Sequence, residues 1–127
     1  MRIFGIGTDI IKTSRIKKII KKKLFLKRLF NELEITKCSN TKNYINCYAK
    51  RFAAKEAFSK ALGTGISKGI NFNEIIVLND KKGKPFIRLI NKTKKNVYKR
   101  FKKKNYRISL SLSDEESYAV AFVTISI

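Results

Sequence analysis

Hydrophobic and polar residues alternate at the start of the chain, over residues 2–11, which predicts a β-strand. One side of this strand carries Phe4, Ile6, Thr8 and Ile10. The other side carries Gly5, Gly7 and Asp9, so a single carboxylate stands beside two positions without side chains. Glycine inside a strand marks the close approach of a ligand or of another backbone, and the pattern alone fits either.

A different period governs residues 44–62, where small apolar residues recur every four positions and predict a long helix. The recurring residues are Ala49, Ala53, Ala57 and Ala61. Their smooth stripe lets another backbone pack closely, and Gly63 is a suitable residue to end the helix. Glu56 lies on this helix between Phe52 and Lys60, where an apolar face becomes polar.

The rest of the pattern predicts shorter elements. Helices are expected at 16–20, 24–33 and 92–101, a polar loop at 38–44, a hairpin of strands 74–78 and 85–90, and further strands at 107–112 and 118–127. Together they predict an α+β fold in which a mostly antiparallel sheet packs on one long central helix. We expect a single domain covering residues 1–127.

The composition fits a folded protein of the cytoplasm. Apolar residues make up 43% of the 127 residues, yet none of their runs approaches the ~20 residues of a membrane span. The N-terminus also lacks the charged and then apolar layout of a signal peptide. The spacing of Cys38 and Cys47 suits neither a zinc knuckle nor a disulfide-rich scaffold, so both are expected to be reduced thiols.

A formal net charge of +21 indicates a polyanionic partner, whether nucleic acid, an acidic membrane or an acidic protein. A small basic RNA-binding protein is therefore one hypothesis. Against it, only 7 of the 30 basic residues are Arg, and the aromatic residues lie in apolar rows rather than on an exposed stacking surface. The charge also agrees with a sequence generally rich in Lys, Asn and Ile.

The chain contains no histidine, which excludes Ser-His and Cys-His mechanisms and leaves oxygen ligands for any metal. Only nine carboxylates are present: Asp9, Glu32, Glu34, Glu56, Glu74, Asp80, Asp114, Glu115 and Glu116. If the long helix packs on the first strand, Asp9 and Glu56 converge and suit Mg²⁺. The alternative for Glu56 is an ordinary surface pair with Lys60, one turn further along. Lys60, Lys55 and Arg51 could meet a phosphate near such a metal.

Four segments resemble one known family. They are Gly-Ile-Gly-Thr-Asp-Ile at 5–10 followed by Arg15-Ile16, Lys-Arg-Phe-Ala-Ala-Lys-Glu-Ala at 50–57 continuing through 60–66, Gly-Lys-Pro at 83–85, and Tyr-Ala-Val-Ala at 118–121. Their order and spacing over nearly the whole chain are similar to those of bacterial holo-acyl-carrier-protein synthases. These enzymes move the 4'-phosphopantetheine arm of coenzyme A onto a serine of an apo acyl carrier protein, for fatty acid synthesis.

The resemblance implies roles for individual residues. Asp9 and Glu56 would ligate Mg²⁺ at the diphosphate of coenzyme A, and Lys60 would neutralise charge on the transferred phosphoryl group. The residues implied to hold the nucleotide and its phosphates are Arg51, Gly63, Thr64, Gly65, Gly83, Lys84 and Pro85. Arg15 and the basic helix after it would meet the acidic carrier protein. The resemblance also implies a homotrimer with active sites between protomers, and no nucleic-acid partner.

One position departs from the common pattern of the family. Many members have a histidine near the start of the turn that reads Ser113-Asp114-Glu115 here, and Asp114 stands at about that place. Its role stays open, and an acidic residue of a turn is the simpler interpretation.

Overall fold

The structure is a computed structural model and describes residues 2–63 and 69–127. Its strands are β1 (Ile3–Lys12), β2 (Ile75–Asn79), β3 (Pro85–Leu89), β4 (Arg107–Asp114) and β5 (Tyr118–Ser126). Its α-helices are α1 (Thr13–Ile19), α2 (Lys23–Leu29), α3 (Glu32–Ser39), α4 (Tyr44–Leu62) and α5 (Asn91–Arg100), and a 3₁₀ turn covers Phe72–Glu74. The predicted α+β class is confirmed.

All strand pairing is antiparallel, but the strands form two sheets rather than one. The larger sheet has the order β1–β5–β4, and the smaller is the hairpin of β2 and β3. In the larger sheet Asp9 lies opposite Ala121 and Thr8 opposite Phe122. Strand β5 is therefore central, between the strand that carries Asp9 and the strand that ends at Asp114.

Helix α4 lies across the larger sheet and has the predicted bounds. Its alanine stripe is buried, and the side chains of β5 that face it form the other half of the core, namely Ala119, Ala121, Val123 and Ile125. Gly63 ends the helix with a φ of 83°, a left-handed conformation that glycine adopts without strain. In residues 2–63 and 69–127 no helix combines the length and the apolar character needed to cross a bilayer.

The single helix predicted for residues 24–33 is wrong, because the chain breaks between α2 and α3. Asn31 begins α3 with a capping box: its side chain accepts the Leu33 N–H, while Glu34 accepts the N–H of Asn31. Helix α3 then continues to Ser39, through the first part of the expected loop. The Asn31-x-x-Glu34 pattern was visible in the sequence and is the signal for this start.

The prediction of two reduced thiols is also wrong. A disulfide joins Cys38 and Cys47, whose Cα atoms lie 5.4 Å apart. Cys38 lies near the end of α3 and Cys47 in the first turn of α4, so the turn between the helices brings the two side chains together. Spacing alone could not show this, because the closeness of the cysteines depends on the angle between two helices.

Candidate active site

The glycine side of β1 is covered by α4, so backbone packing explains the missing side chains. A Cβ atom added at Gly5 would overlap the carbonyl oxygen of Ala61, and one added at Gly7 would overlap that of Ala57. Of the two possibilities left open by the sequence, the second backbone is the correct one. The close approach sets the carboxylates of β1 and α4 beside each other at the end of the packed surface.

Asp9 and Glu56 converge there, as predicted. Burial raises the pKa of Asp9 above its ordinary 3.8, although Lys60 and Arg15 partly offset the shift. Burial, and then the charge of Asp9, raise the pKa of Glu56 above its ordinary 4.5, again against the two cations. Two carboxylates thus share a half-buried place where ionising both of them is unfavourable.

Lys60 reaches across to β1 instead of pairing within its own helix. Its Nζ donates to the carbonyl oxygen of Thr8 at 2.9 Å and lies 3.4 Å from Oδ1 of Asp9. The Lys60 side chain is 56% exposed, so it can turn toward a bound anion without unpacking the core. In the part of the chain that the structure describes, no ion pair joins Glu56 to Lys60, which disfavours the simple surface pair.

The donor set fits a magnesium ion. Mg²⁺ takes one or two protein carboxylates and completes its shell with water and substrate phosphates, and two carboxylates are what Asp9 and Glu56 provide. Within residues 2–63 and 69–127 there is no cluster of three or more His, Cys, Asp or Glu side chains, the arrangement of an all-protein metal cage. A divalent cation would also relieve the repulsion that raises the pKa of Glu56.

Lys55 is not at this site, although its position in the sequence suggested a phosphate contact. Its side chain is fully buried, with Nζ 2.7 Å from Oε1 of Glu34 and 2.8 Å from the carbonyl oxygen of Phe72, and it also donates to the carbonyl oxygen of Ile75. Burial lowers the pKa of Lys55 to about 8, against the opposing effect of Glu34. The sequence did carry a signal, because Phe58 occupies the same helical row.

Arg51 lines a second site, which includes part of the predicted 83–85 turn. Its Nη1 donates to the carbonyl oxygen of Cys47 at 3.3 Å, and its Nη2 donates to Oδ1 of Asn79 at 3.1 Å. Arg51, Gly83 and Pro85 lie on the wall of one cavity of about 670 Å³. This brings together three of the residues expected to hold the nucleotide.

The other predicted nucleotide contacts differ in their surroundings. Lys84 is exposed in the hairpin turn, where its N–H donates to Oδ1 of Asp80 at 2.9 Å. The Gly63 N–H already donates to the carbonyl oxygens of Ser59 and Lys60, each at 3.1 Å, as part of the helix end. Thr64 and Gly65 lie outside the described residues.

Arg51 and Glu56 point to different sides of α4. Glu56 comes five positions after Arg51, so their directions differ by about 140° around the helix axis. Glu56 lines another cavity, of about 770 Å³, together with Arg28 and Phe52, and this cavity shares no lining residue with the one at Arg51. One copy of the chain therefore presents the carboxylates and the Arg51 cavity on separate faces.

Arg15 and Asp114 lie at the edges of these two sites. Arg15 is exposed on α1, and its charge reaches both Asp9 and Glu56. Asp114 lines the Arg51 cavity, accepts a 2.8 Å hydrogen bond from the Asn46 amide, and lies 3.5 Å from Nζ of Lys50. With these two partners Asp114 fixes the end of β4 against α4.

Comparison with known proteins adds independent findings. Residues 5–123 match the model of the 4'-phosphopantetheinyl transferase superfamily. A holo-[acyl-carrier-protein] synthase of Pelagibacter ubique is 49% identical over 125 residues, which cover 98% of each chain. That of Ehrlichia chaffeensis is 45% identical over 128 residues, which cover 97% of this chain and 96% of the relative.

Solved structures agree with these relatives. The chain is similar to the crystal structure of holo-[acyl-carrier-protein] synthase from Neisseria meningitidis, with a TM-score of 0.89, 38% identity, and coverage of 98% and 99% of the two chains. It is also similar to the Bacillus anthracis synthase in complex with CoA (3',5'-ADP), with a TM-score of 0.81, 36% identity, and coverage of 99% and 98%.

Proposed function

The chain belongs to the 4'-phosphopantetheinyl transferase superfamily, among the holo-[acyl-carrier-protein] synthases, and we propose that it transfers the 4'-phosphopantetheine group of coenzyme A to a serine of an apo acyl carrier protein. The observation that carries the proposal is that the side chains of Asp9, Glu56 and Lys60 lie together beside the place where α4 packs on the glycines of β1. We prefer this function to that of a small basic RNA-binding protein. The product would serve fatty acid synthesis in the cytoplasm.

The chemistry is an in-line phosphoryl transfer, in which positioning and charge neutralisation do most of the work. The carrier serine attacks the β-phosphorus of coenzyme A, and adenosine 3',5'-bisphosphate leaves. Glu56 accepts the serine proton, because it is a carboxylate beside the reacting phosphate and the chain offers no histidine for this task. Lys60 turns from the Thr8 carbonyl toward the transferred phosphoryl group and balances its charge.

Asp9 and Glu56 are the residues that would hold Mg²⁺. When bound, the ion supplies positive charge to the diphosphate of the substrate. The packing of α4 on Gly5 and Gly7 holds the backbones that carry these two side chains close together. The nucleotide would lie in the cavity of Arg51, Gly83 and Pro85, with Lys84 at its exposed edge.

The two separate faces of α4 support a homotrimer with shared active sites. The outer face of the β1–β5–β4 sheet exposes large apolar side chains, including Ile6 (60% exposed), Ile10 (62%) and Phe122 (45%), which a contact with a second copy would cover. In such an assembly the Arg51 cavity of one protomer can face the Asp9 and Glu56 carboxylates of its neighbour. Each active site would then need two copies of the chain.

Arg15 is our candidate for the carrier contact. It is exposed beside the carboxylates, so an acidic carrier that binds it brings its serine to the reacting phosphate. Attraction between the +21 chain and an acidic carrier also raises the rate of association, and added salt lowers it.

The first test is the intact mass of an apo acyl carrier protein after incubation with the enzyme, coenzyme A and Mg²⁺. A gain of one phosphopantetheine group that a chelator abolishes is expected. Glu56→Gln should slow the transfer on the order of 100-fold or more, since it removes a base and a charged ligand. Glu116→Gln, which removes an exposed carboxylate at the β4–β5 turn, is the matched control. Full activity of Glu56→Gln would contradict the assignment.

A second test addresses the shared sites. Glu56→Gln and Arg51→Gln should each be inactive, yet a mixture refolded together should recover about a quarter of the wild-type activity, because such trimers contain sites with both native residues. A mixture as inactive as its components would show that each site lies within one chain.

A further inference from the structure

The disulfide between Cys38 and Cys47 lies on the wall of the proposed nucleotide cavity. Cys47 lines this cavity together with Arg51, while Cys38 is fully buried behind it. We propose that this cysteine pair is a reversible redox site whose state sets the affinity of the Arg51 cavity for the nucleotide of coenzyme A. The coupling to the nucleotide rests on the proposed function, whereas the redox chemistry of the pair does not.

The link between sulfur and nucleotide site is direct. Nη1 of Arg51 lies 3.2 Å from Sγ of Cys47 and donates to it, in addition to its bond to the Cys47 carbonyl oxygen. Nη2 is held by Asn79 at the base of the β2–β3 hairpin. The Nε of Arg51 is buried and has no hydrogen-bond partner among residues 2–63 and 69–127. The guanidinium group thus touches the disulfide on one side and the hairpin on the other.

Opening the disulfide changes what Arg51 meets. The neutral disulfide sulfur is a weak acceptor, whereas a Cys47 thiolate would be an anion beside the guanidinium. That anion competes with a nucleotide phosphate for the charge of Arg51. Reduction also releases the link between α3 and α4, whose connecting segment supplies Lys37 and Thr41 to the same wall. Both effects lower the affinity of the reduced protein, since a less preorganised cavity binds more weakly.

The surroundings suit thiol–disulfide exchange. Cys47 lies on a cavity open to solvent, and Lys37 and Lys50 stand on the same wall, where their charges favour a thiolate. Disulfides in cytoplasmic proteins are mostly transient or redox-sensing. The proposed cytoplasmic location therefore favours a reversible pair over a permanent crosslink.

The exchange balances with oxidised glutathione as the co-reactant. The Cys47 thiolate attacks the glutathione disulfide, forming a mixed disulfide and releasing one glutathione thiolate. The Cys38 thiolate then attacks Sγ of Cys47, which closes the protein disulfide and releases the second glutathione. Two electrons pass from the protein to glutathione disulfide, and the two cysteine protons end on the two released thiols. Excess reduced glutathione reverses both steps.

The test equilibrates the full chain in buffers with increasing ratios of oxidised to reduced glutathione. Alkylation under denaturing conditions, followed by intact mass, counts free thiols, and calorimetry gives the affinity for adenosine 3',5'-bisphosphate, a probe without a thiol of its own. We expect the free thiols to fall from two to none, and the probe to bind about tenfold more tightly as they do, the value of one charged hydrogen bond.

Cys47→Ser is the matched control, because it abolishes the crosslink and removes the thiol that attacks glutathione disulfide, while the remaining Cys38 is fully buried. Its affinity for the probe should stay constant across the glutathione series. The wild-type series carries the test by itself if this variant does not fold.

Three results would overturn the proposal. Two alkylated cysteines in every buffer would exclude the redox site. A pair that closes and opens without any change in probe affinity would exclude the coupling to Arg51. In the third result, the thiols titrate as expected but the probe does not bind in any buffer. The nucleotide site would then be wrongly assigned. Because the thiol count is measured independently, this failure of the proposed function is distinguishable from a failure of the redox site.

Discussion

Lys55 and Lys60 lie on one helix, and each meets a carboxylate, but their surroundings are opposite. Lys55 and Glu34 are both fully buried, 2.7 Å apart, and protein groups fill the remaining hydrogen-bonding positions of the ammonium group. The side chains of Lys60 and Asp9 are 56% and 17% exposed, and their charged atoms are 3.4 Å apart. The first pair is completed within the fold, and the second is left open to a ligand.

The difference separates a structural role from a chemical one. A buried charge needs all its partners inside the protein, so the Glu34–Lys55 pair fixes α3, α4 and the start of β2 relative to each other. A pair that serves a reaction has to exchange partners, which requires solvent access and unsaturated groups. The Lys60–Asp9 pair, with side chains 56% and 17% exposed and charged atoms 3.4 Å apart, meets that condition.

Lys55→Met, which removes the ammonium group of the buried pair, is expected to have the largest effect on stability. This change leaves Glu34 charged and unpaired in the core, so we expect the free energy of unfolding to fall by about 3–5 kcal/mol, measured by urea denaturation. Adding Glu34→Gln should restore much of the loss, because the neutral amide can still accept the N–H of Val77. A loss below about 1 kcal/mol would mean that the buried pair stabilises the fold no more than an ordinary surface ion pair does.

Gly7→Ala tests the close packing of α4 on β1, the strand that carries Asp9 of the exposed pair. The new methyl group overlaps the carbonyl oxygen of Ala57, and neither backbone can yield without moving α4 from β1. We expect a loss of about 1–3 kcal/mol in the same assay. Ser117→Thr adds one methyl group at an exposed position of the β4–β5 turn and should change stability by less than about 0.5 kcal/mol. If both variants changed the free energy of unfolding equally, Gly7 would not be closely packed against α4.

Lys60→Met should separate stability from activity. Because the Lys60 side chain is largely exposed, we expect its loss to change unfolding free energy by at most about 1 kcal/mol. Transfer of phosphopantetheine should fall on the order of 100-fold, since the variant lacks a charge beside the reacting phosphate. Destabilisation as large as that of Lys55→Met would remove the distinction between the two pairs.

The smallest expected effect is a pH dependence of stability at the open site. Because the pKa of Glu56 is raised in the folded state, the folded chain holds a proton that the unfolded chain releases near pH 4.5. This contribution favours the folded state at low pH and disappears as pH rises through the folded-state pKa. The melting temperature of wild type minus that of Glu56→Gln should therefore decrease from acidic to neutral pH. If this difference in melting temperature increased with pH, the pKa of Glu56 would be lowered, not raised, in the folded state.

Local rules were sufficient for much of the fold. The four-residue alanine period and Gly63 gave the bounds of α4, and alternation gave β1, because each depends on residues near in sequence. These two elements also predicted that Asp9 and Glu56 converge if α4 packs on β1, and the structure brings both side chains together. The resemblance of the motifs added only the implied Mg²⁺ role of the two carboxylates.

Contacts between distant segments were the part that local rules missed. Phe58, one turn further along α4, indicates that Lys55 faces the core, but its partner Glu34 lies on another helix and no local rule identifies it. The Cys38–Cys47 bond and the facing directions of Arg51 and Glu56 also depend on tertiary arrangement. The exception is Asn31-x-x-Glu34, a local signal that predicts the start of α3.

The pairing of β1 with β5 has a consequence for how the protein is made. Thr8 bonds to Ala121, 113 residues further along, so β1 leaves the ribosome long before its partner. At 5–20 residues per second the wait is roughly 6–23 s. During that time the backbone N–H and C=O groups of β1 lack the strand with which they pair in the finished sheet. The candidate site at Asp9 therefore forms only after nearly the whole chain has been made, because the strand that carries Asp9 pairs with the last strand of the fold.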